Sequence, residues 1–415
     1  MGVTLKGSAS CPVPRNGEWR RAADGVDSAR SAVRYWAAVY LTHEQLLSHA
    51  RELARTKASC TLRRVGESAQ GRGLYLLSVD RSGPDVLVVA GAHANEPVGM
   101  STVLALAHRA LEGPSGARWS FLLCLDPDGA ALNEGWLAGP LTMARHFEHF
   151  YRPPTDAQPE WLGDAPLPET AALLSVIEEL RPALQCSLHG VDFGGAFVQL
   201  TEPIAGLREP FGVDPGVPLD VGSFDAPYWP MPYPGVYLRP AAGRPDAFDA
   251  TPAVTERSTW LMPSGPTAVV EAPMWAVPAV ADGAPHPEPQ KALRVLAERL
   301  RTGFPDLAGV GGADPFARAA VENAAVGVAL ADEWEQSTWA RTVAQVTALE
   351  LAAERLPLRA AAGLARLGAS ADRAGEVAER CRWIERRFAA RWVPVHRQVA
   401  LQARAVESIA RAVLG

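Results

Sequence analysis

DVLVVAGAHANEPVGM, residues 85–100, decides how the chain is read. Its first half is a continuous apolar run without polar alternation. That is the pattern of a strand buried on both faces, as in a parallel sheet covered by helices. The run breaks at Gly91 and presents His93 and Glu96. Pro97 then suits the first turn of a helix over PVGMSTVLALAHRALEG, which Gly113-Pro114 stops.

Working outward, the same grammar repeats. WSFLLCLDPDG (119–129) reads as a second buried strand ending in a turn, and PETAALLSVIEELRP (168–182) as a helix. ALQCSLHG (183–190) is a third buried strand and TAVVEAP (267–273) a fourth. Upstream, SCTLRRVGES and GLYLLSVD flank residues 69–73 as a hairpin, and Thr42 caps a helix over HEQLLSHARELA with Gln45 in the capping-box position. Alternating buried strands and helices imply an α/β fold: a mixed, largely parallel sheet with helices on both faces.

Between the third and fourth strands, residues 201–262 are rich in Pro, Gly and aromatics. DAPYWPMPYPGVYLRP there is no long regular element, because proline removes donors and fixes φ. Loops of this length usually carry function. After a helix near 290–302 and a Gly/Pro-rich linker, the chain turns Ala-, Glu- and Arg-rich with helical periodicity. The division expected is an extension over 1–40, with helical character in SARSAVRYWAAVY (28–40), an α/β domain over 41–304 and a helical bundle or cap over 305–415.

Bulk properties narrow the function. A formal charge of −6 with scattered basic residues gives no reason to expect nucleic acid or an anionic membrane as partner. No apolar run reaches the roughly 18 residues of a membrane span, and the early residues lack a signal-peptide core. The five cysteines are widely spaced, with no CxxC, and Cys124 and Cys186 fall inside apolar runs as reduced, buried thiols. A cytoplasmic protein is the expectation.

His93 and Glu96, Asp128, His189 and Glu271 fall at or just after the four apolar runs. Ligands bind at the carboxyl edge of such sheets, where loops converge. Two imidazoles and one carboxylate fill three zinc positions and leave a fourth for water, so one zinc per chain is expected on His93, Glu96 and His189. Glu271 is then placed to take the water's proton. The His-x-x-Glu spacing alone is weak: His49 and Glu52 repeat it on the early helix, where no strand precedes them.

Taken together, LRRVGESAQGRGLYLLSVD…DVLVVAGAHANEPVGM, DPDG, SLHG and TAVVEAPMW resemble the zinc carboxypeptidase family (M14) over about residues 40–300. The resemblance implies zinc ligands at His93, Glu96 and His189 and a general base at Glu271. It implies removal of a C-terminal amino acid from a peptide. The family's usual Asn-Arg pair for the substrate carboxylate has no counterpart, since the chain contains no Asn-Arg dipeptide. Arg145 and Arg152 stand in as candidates for a carboxylate clamp or oxyanion donor. Asn133 and Arg239 are candidate substrate contacts, with Arg244 also near. Tyr237 is preferred over Tyr228 and Tyr233 for the tyrosine that the family carries on a mobile loop. A small-molecule N-acyl amino acid deacylase of the aspartoacylase type is the alternative. An inactive metal-holding binding protein is a third reading, disfavoured because Glu271 is present. The helical tail is a candidate contact for dimerisation or a partner protein. His146 and His149 lack a third ligand and read as surface or pocket-lining residues.

Overall fold

The computed structural model describes residues 39–415 apart from 81, 114–115, 163–164, 213, 241–257, 263 and 369–370. The helical stretch expected within 28–40 therefore lies outside the described residues, save Val39 and Tyr40, and so does Arg244.

The chain opens with helix α1 (His43–Thr56), started by the expected capping box: Thr42 and Gln45 bond each other's backbone amides through their side chains. Hairpin β1 (Cys60–Glu67) and β2 (Gly73–Val79) follows. Then come β3 (Asp85–Val89), α2 (Val98–Glu112), β4 (Arg118–Leu122), α3 (Pro127–Asn133), α4 (Met143–Glu148) and α5 (Pro168–Leu180). Strands β5 (Leu184–Gly194), β6 (Phe197–Leu200), β7 (Val236–Leu238) and β8 (Thr267–Ala276) complete the main sheet. Helices α6 (Pro289–Thr302), α7 (Pro315–Gln336), α8 (Val343–Gly368) and α9 (Ala371–Arg387), short β9 (Arg391–Trp392) and α10 (Val395–Leu414) close the chain.

The strand order is β1-β2-β4-β3-β5-β8-β6-β7, with β9 on β8. The four central strands β4, β3, β5 and β8 are mutually parallel. The antiparallel pairs lie to either side: the β1–β2–β4 side, and β6 and β9 on β8. The sheet is thus mixed with a parallel centre, and the centre is where the sequence runs are continuously apolar. Helices cover both faces. Leu173, Val176 and Ile177 of α5 pack with Leu76, Leu87, Val89 and Leu122 on one side. Val103 and Leu106 of α2 and Leu401, Val406 and Ile409 of α10 share the other core with Val86, Val88 and Leu188. No helix among the described residues is long and apolar enough to cross a membrane.

Two local features aim the loops at one place. Gly91 has φ +63°, and a Cβ there would stand 2.7 Å from Cys124 Sγ, so a side chain is excluded where the chain leaves β3. Strand β3 stops at Val89, opposite Ser187 of β5, while β5 and β8 continue together and pair His189 with Glu271. The sequence suggested that both residues stand at or just after strand ends. They instead lie inside longer strands, just past the point where β3 has ended.

Candidate metal centre

The loop after β3 brings His93 and Glu96 together. His93 Nδ1 lies 3.0 Å from Glu96 Oε1 and 3.1 Å from Oε2. His189 enters from β5 with its Nδ1 3.0 Å from His93 Nδ1 and 3.2 Å from Glu96 Oε2. The Gly190 amide donates to Glu96 Oε2 at 3.1 Å, tying the carboxylate to the strand that carries His189. Among the described residues these three form the group able to hold a metal ion, with ligand atoms within 4.8 Å of one another. Zinc bonds of about 2.0–2.2 Å in a tetrahedron require donors about 3.3–3.6 Å apart. The 3.0–3.2 Å spacings come close to that, so the residues fit the ion.

Arg152 sits against this set. Its Nη1 donates to Glu96 Oε1 at 2.8 Å and its Nη2 to His93 Nε2 at 3.1 Å. A guanidinium only donates, so His93 Nε2 is an acceptor and the neutral ring's own proton is on Nδ1. Coordination through Nδ1 thus requires Arg152 to release His93 Nε2. Burial, reinforced by Arg152, lowers the His93 pKa to about 4. Burial works against the Glu96 carboxylate, yet His93, His189 and Arg152 outweigh it and hold it well below its ordinary value.

Behind His189 stands a residue with no counterpart in the sequence reading. Glu160 Oε2 lies 3.1 Å from His189 Nε2, and Ser187 Oγ lies 2.9 Å from the same nitrogen. Burial disfavours charge on both partners. Their attraction wins, raising His189 well above its ordinary pKa and lowering Glu160 to about 2. Ser187 was legible in principle, since it precedes His189 by two positions and shares its face of the strand. Glu160 was not: it sits in the irregular run PPTDAQPEWLG, far from any strand.

Glu271 shares the floor of the site. Its Oε1 is 4.0 Å from His189 Nδ1, and its Oε2 has no hydrogen-bond partner among the described residues. Burial pushes its carboxyl up to about 8, with Glu96 adding and His189 opposing. A cation at the donor set would draw it back down.

The other candidates fall elsewhere. Asn133 is not free for substrate: its Nδ2 donates to the carbonyls of Gly129 and Tyr151, and its Oδ1 accepts from the Tyr151 amide. Arg145 donates to the Gly135 carbonyl at 2.9 Å, stands 3.8 Å from Glu148, and lines a surface cavity of about 500 Å³ with Phe147, Arg366 and Val377. Tyr237 is buried. Its hydroxyl accepts from the Ser223 amide and donates to the Asp220 carbonyl, so it is held inside the fold rather than on a mobile loop. The Arg239 amide donates to Leu200, whose partner on β8 is Ala268. That places the Arg239 backbone roughly four residues, about 13 Å, along the strand from the level of Glu271. Asp128 serves the hairpin, accepting from Ser68 Oγ, the Gln70 amide and Arg72 Nη1 at 2.7–2.9 Å.

His146 corrects the reading of a surface or pocket-lining residue. It is fully buried, 3.2 Å from Asp192, which also takes two donors from Arg359 of α8. The charge of Asp192 is costly to bury, but Arg359 and His146 hold its carboxyl well below the usual range.

The family model of the zinc carboxypeptidases (peptidase M14) matches residues 46–192. That stretch, less than half of the chain, carries the family's pattern; it includes His93, Glu96 and His189 and ends before Glu271. Three solved structures illustrate the likeness. A Shewanella baltica OS155 protein named as a metallopeptidase shares 16% identity at TM-score 0.38, covering 55% of this chain and 83% of its own. Bovine thrombin-activatable fibrinolysis inhibitor, solved with tick carboxypeptidase inhibitor, shares 14% at TM-score 0.29, covering 42% and 67%. A metallo-carboxypeptidase from Burkholderia cenocepacia shares 16% at TM-score 0.34, covering 72% and 70%. No curated protein matches the chain by sequence.

Proposed function

We propose that this protein is a zinc-dependent amide hydrolase that removes a C-terminal amino acid from a peptide. One observation carries the reading: His93, Glu96 and His189 converge to zinc-ligand spacing, and Glu271 is paired with His189 beside them. Zinc held there supplies Lewis acidity toward a carbonyl and acidifies water.

The chain's own groups do the rest. Glu271 receives the proton of the attacking water and returns it to the leaving amine; its unpartnered Oε2 is free for that exchange. Its burial beside Glu96 favours taking up that proton, against the pull of a cation at the donor set. Arg152 is a cation in direct contact with Glu96 and His93, and it stabilises the developing oxyanion or holds the substrate carboxylate.

The second reading, a deacylase acting on small N-acyl amino acids, is favoured by one observation. Asn133 and Arg145, two of the three residues expected near a terminal carboxylate, are committed elsewhere, which leaves Arg152. Elemental analysis together with hydrolysis of a C-terminal peptide library, for wild type and Glu271→Gln, separates the readings. About one zinc per chain and trimming that disappears in the variant support the carboxypeptidase. Zinc with activity only on N-acyl amino acids selects the deacylase. A protein that binds no zinc refutes both.

A further inference from the structure

Three buried groups meet behind His189: its Nε2, Ser187 Oγ and the Glu160 carboxylate. Ser187 and His189 are fully buried and Glu160 is 3% exposed. The Ser187 hydroxyl has one proton, and it goes to Glu160 Oε1 at 2.5 Å. His189 Nε2 lies 2.9 Å from Ser187 Oγ and 3.1 Å from Glu160 Oε2. Neither oxygen has a proton left to give, because the hydroxyl's is spent and the carboxylate has none. The contact with Ser187 Oγ is therefore a hydrogen bond only if Nε2 carries a proton and donates it, while Glu160 Oε2 accepts no hydrogen bond and faces the ring as an ion-pair partner.

That proton decides what the other nitrogen can do. A neutral ring protonated at Nε2 keeps its lone pair on Nδ1, the atom facing Glu96 and His93. We propose that Glu160 is a positioning residue that, with Ser187, fixes His189 as an Nδ1 metal donor. The inference rests on the zinc reading above and assigns Glu160 a part in holding the ion, not in the chemistry.

The surrounding backbone shows that Glu160 is held in place. The Thr259 amide donates to the Glu160 carbonyl at 3.0 Å, Trp161 bridges to Ser258, and Thr170 Oγ1 donates to the Pro159 carbonyl at 2.7 Å. A carboxylate so removed from water needs a positive counterpart. Among the described residues His189 is the ionisable group within ion-pair distance of it, so its charge strengthens the ring's grip on a cation on the far side.

The test uses the full-length chain. Zinc affinity is measured by competition with a chromophoric chelator for wild type, Glu160→Gln and Glu160→Ala. Long-range proton–nitrogen correlation spectra of the zinc-loaded wild type show which nitrogen of His189 carries the proton. The expected result is a proton on Nε2 and a zinc Kd raised about 10–100-fold in Glu160→Ala. Glu160→Gln should lose less, because its amide oxygen still accepts from Ser187 Oγ and keeps that oxygen an acceptor toward Nε2. A wild type that takes no zinc overturns the zinc reading and this proposal with it. Tight wild-type binding that Glu160→Ala leaves unchanged overturns the role of Glu160 alone. A His189 proton found on Nδ1 does the same, and that spectrum decides even if Glu160→Ala fails to fold.

Discussion

At the residue scale, the site separates groups that touch the candidate metal ligands from groups the fold holds elsewhere. Arg152 touches both Glu96 and His93, so Arg152→Gln should lower kcat by about 10²–10³-fold, as loss of one oxyanion donor does. Steady-state kinetics on a cleavable peptide would show it; an unchanged kcat with only a raised KM would instead assign Arg152 to ground-state binding. Tyr237 should behave oppositely. Tyr237→Phe leaves the Ser223 amide unpaired in the interior, so urea unfolding should reveal a loss of about 1–3 kcal/mol while kcat stays unchanged. Its neighbour Asp220 makes a pH prediction. Burial raises that carboxyl to about 7, with the Gly222 amide opposing. Below about pH 4 both folded and unfolded states hold the proton, and the group is neutral toward stability. Between about 4 and 7 the unfolded chain ionises while the folded one resists, so stability falls as pH rises and levels off above 7. Asp220→Asn should remove that slope, making the variant's loss between pH 5 and pH 8 smaller by on the order of a few kcal/mol. Parallel slopes in urea titrations of the two proteins would contradict it.

At the scale of elements, what the sequence revealed was periodic and what it hid was tertiary. DVLVVAGAH, ALQCSLHG and TAVVEAP declared themselves because a strand buried on both faces must be continuously apolar, and their polar interruptions marked the site. The meeting of His93, Glu96 and His189, with Glu271 beside them, was legible for that reason. Glu160 was not, because a loop residue reaches its partner through a path no local pattern encodes. Tyr237 misled for the same reason: a tyrosine in a Pro- and Gly-rich stretch reads as mobile, and only the fold shows its hydroxyl bonded to two backbone groups. The β1–β2 hairpin is a mixed case. Its turn was legible, but its brace on α3 was not. Because Asp128 takes three donors from residues 68–72, Asp128→Ala should loosen the turn first. Amide exchange should speed up in β1 and β2 while β3 and β5 stay protected. Uniform acceleration across the sheet would mean that Asp128 supports the whole fold rather than its hairpin.

At the scale of the whole molecule, the last helix is tied to the centre that the first half of the chain builds. Gln402 of α10 donates from Nε2 to the His189 carbonyl at 2.6 Å and accepts from Thr102 of α2 at 2.7 Å. A step earlier on the same helix, Gln398 accepts from the Tyr40 hydroxyl at 2.7 Å and donates to the Val393 carbonyl at 2.6 Å. Val399, Leu401, Val406 and Ile409 are all buried, and the last three share a core with β3 and β5. Removing residues 395–415 would uncover that apolar face of the sheet and leave the His189 carbonyl without its side-chain donor. Each buried large side chain contributes about 1.5–3 kcal/mol, so losing four exceeds most of the 5–15 kcal/mol by which domains are stable. The truncated chain should therefore lose its cooperative thermal transition, followed by circular dichroism, and should lose zinc binding with it. Gln402→Ala is the gentler probe, expected to cost about 1–3 kcal/mol through the unpaired groups it leaves. A truncated chain that melts cooperatively and still binds zinc would show that α10 is an accessory, and that the α/β part builds the metal centre without it.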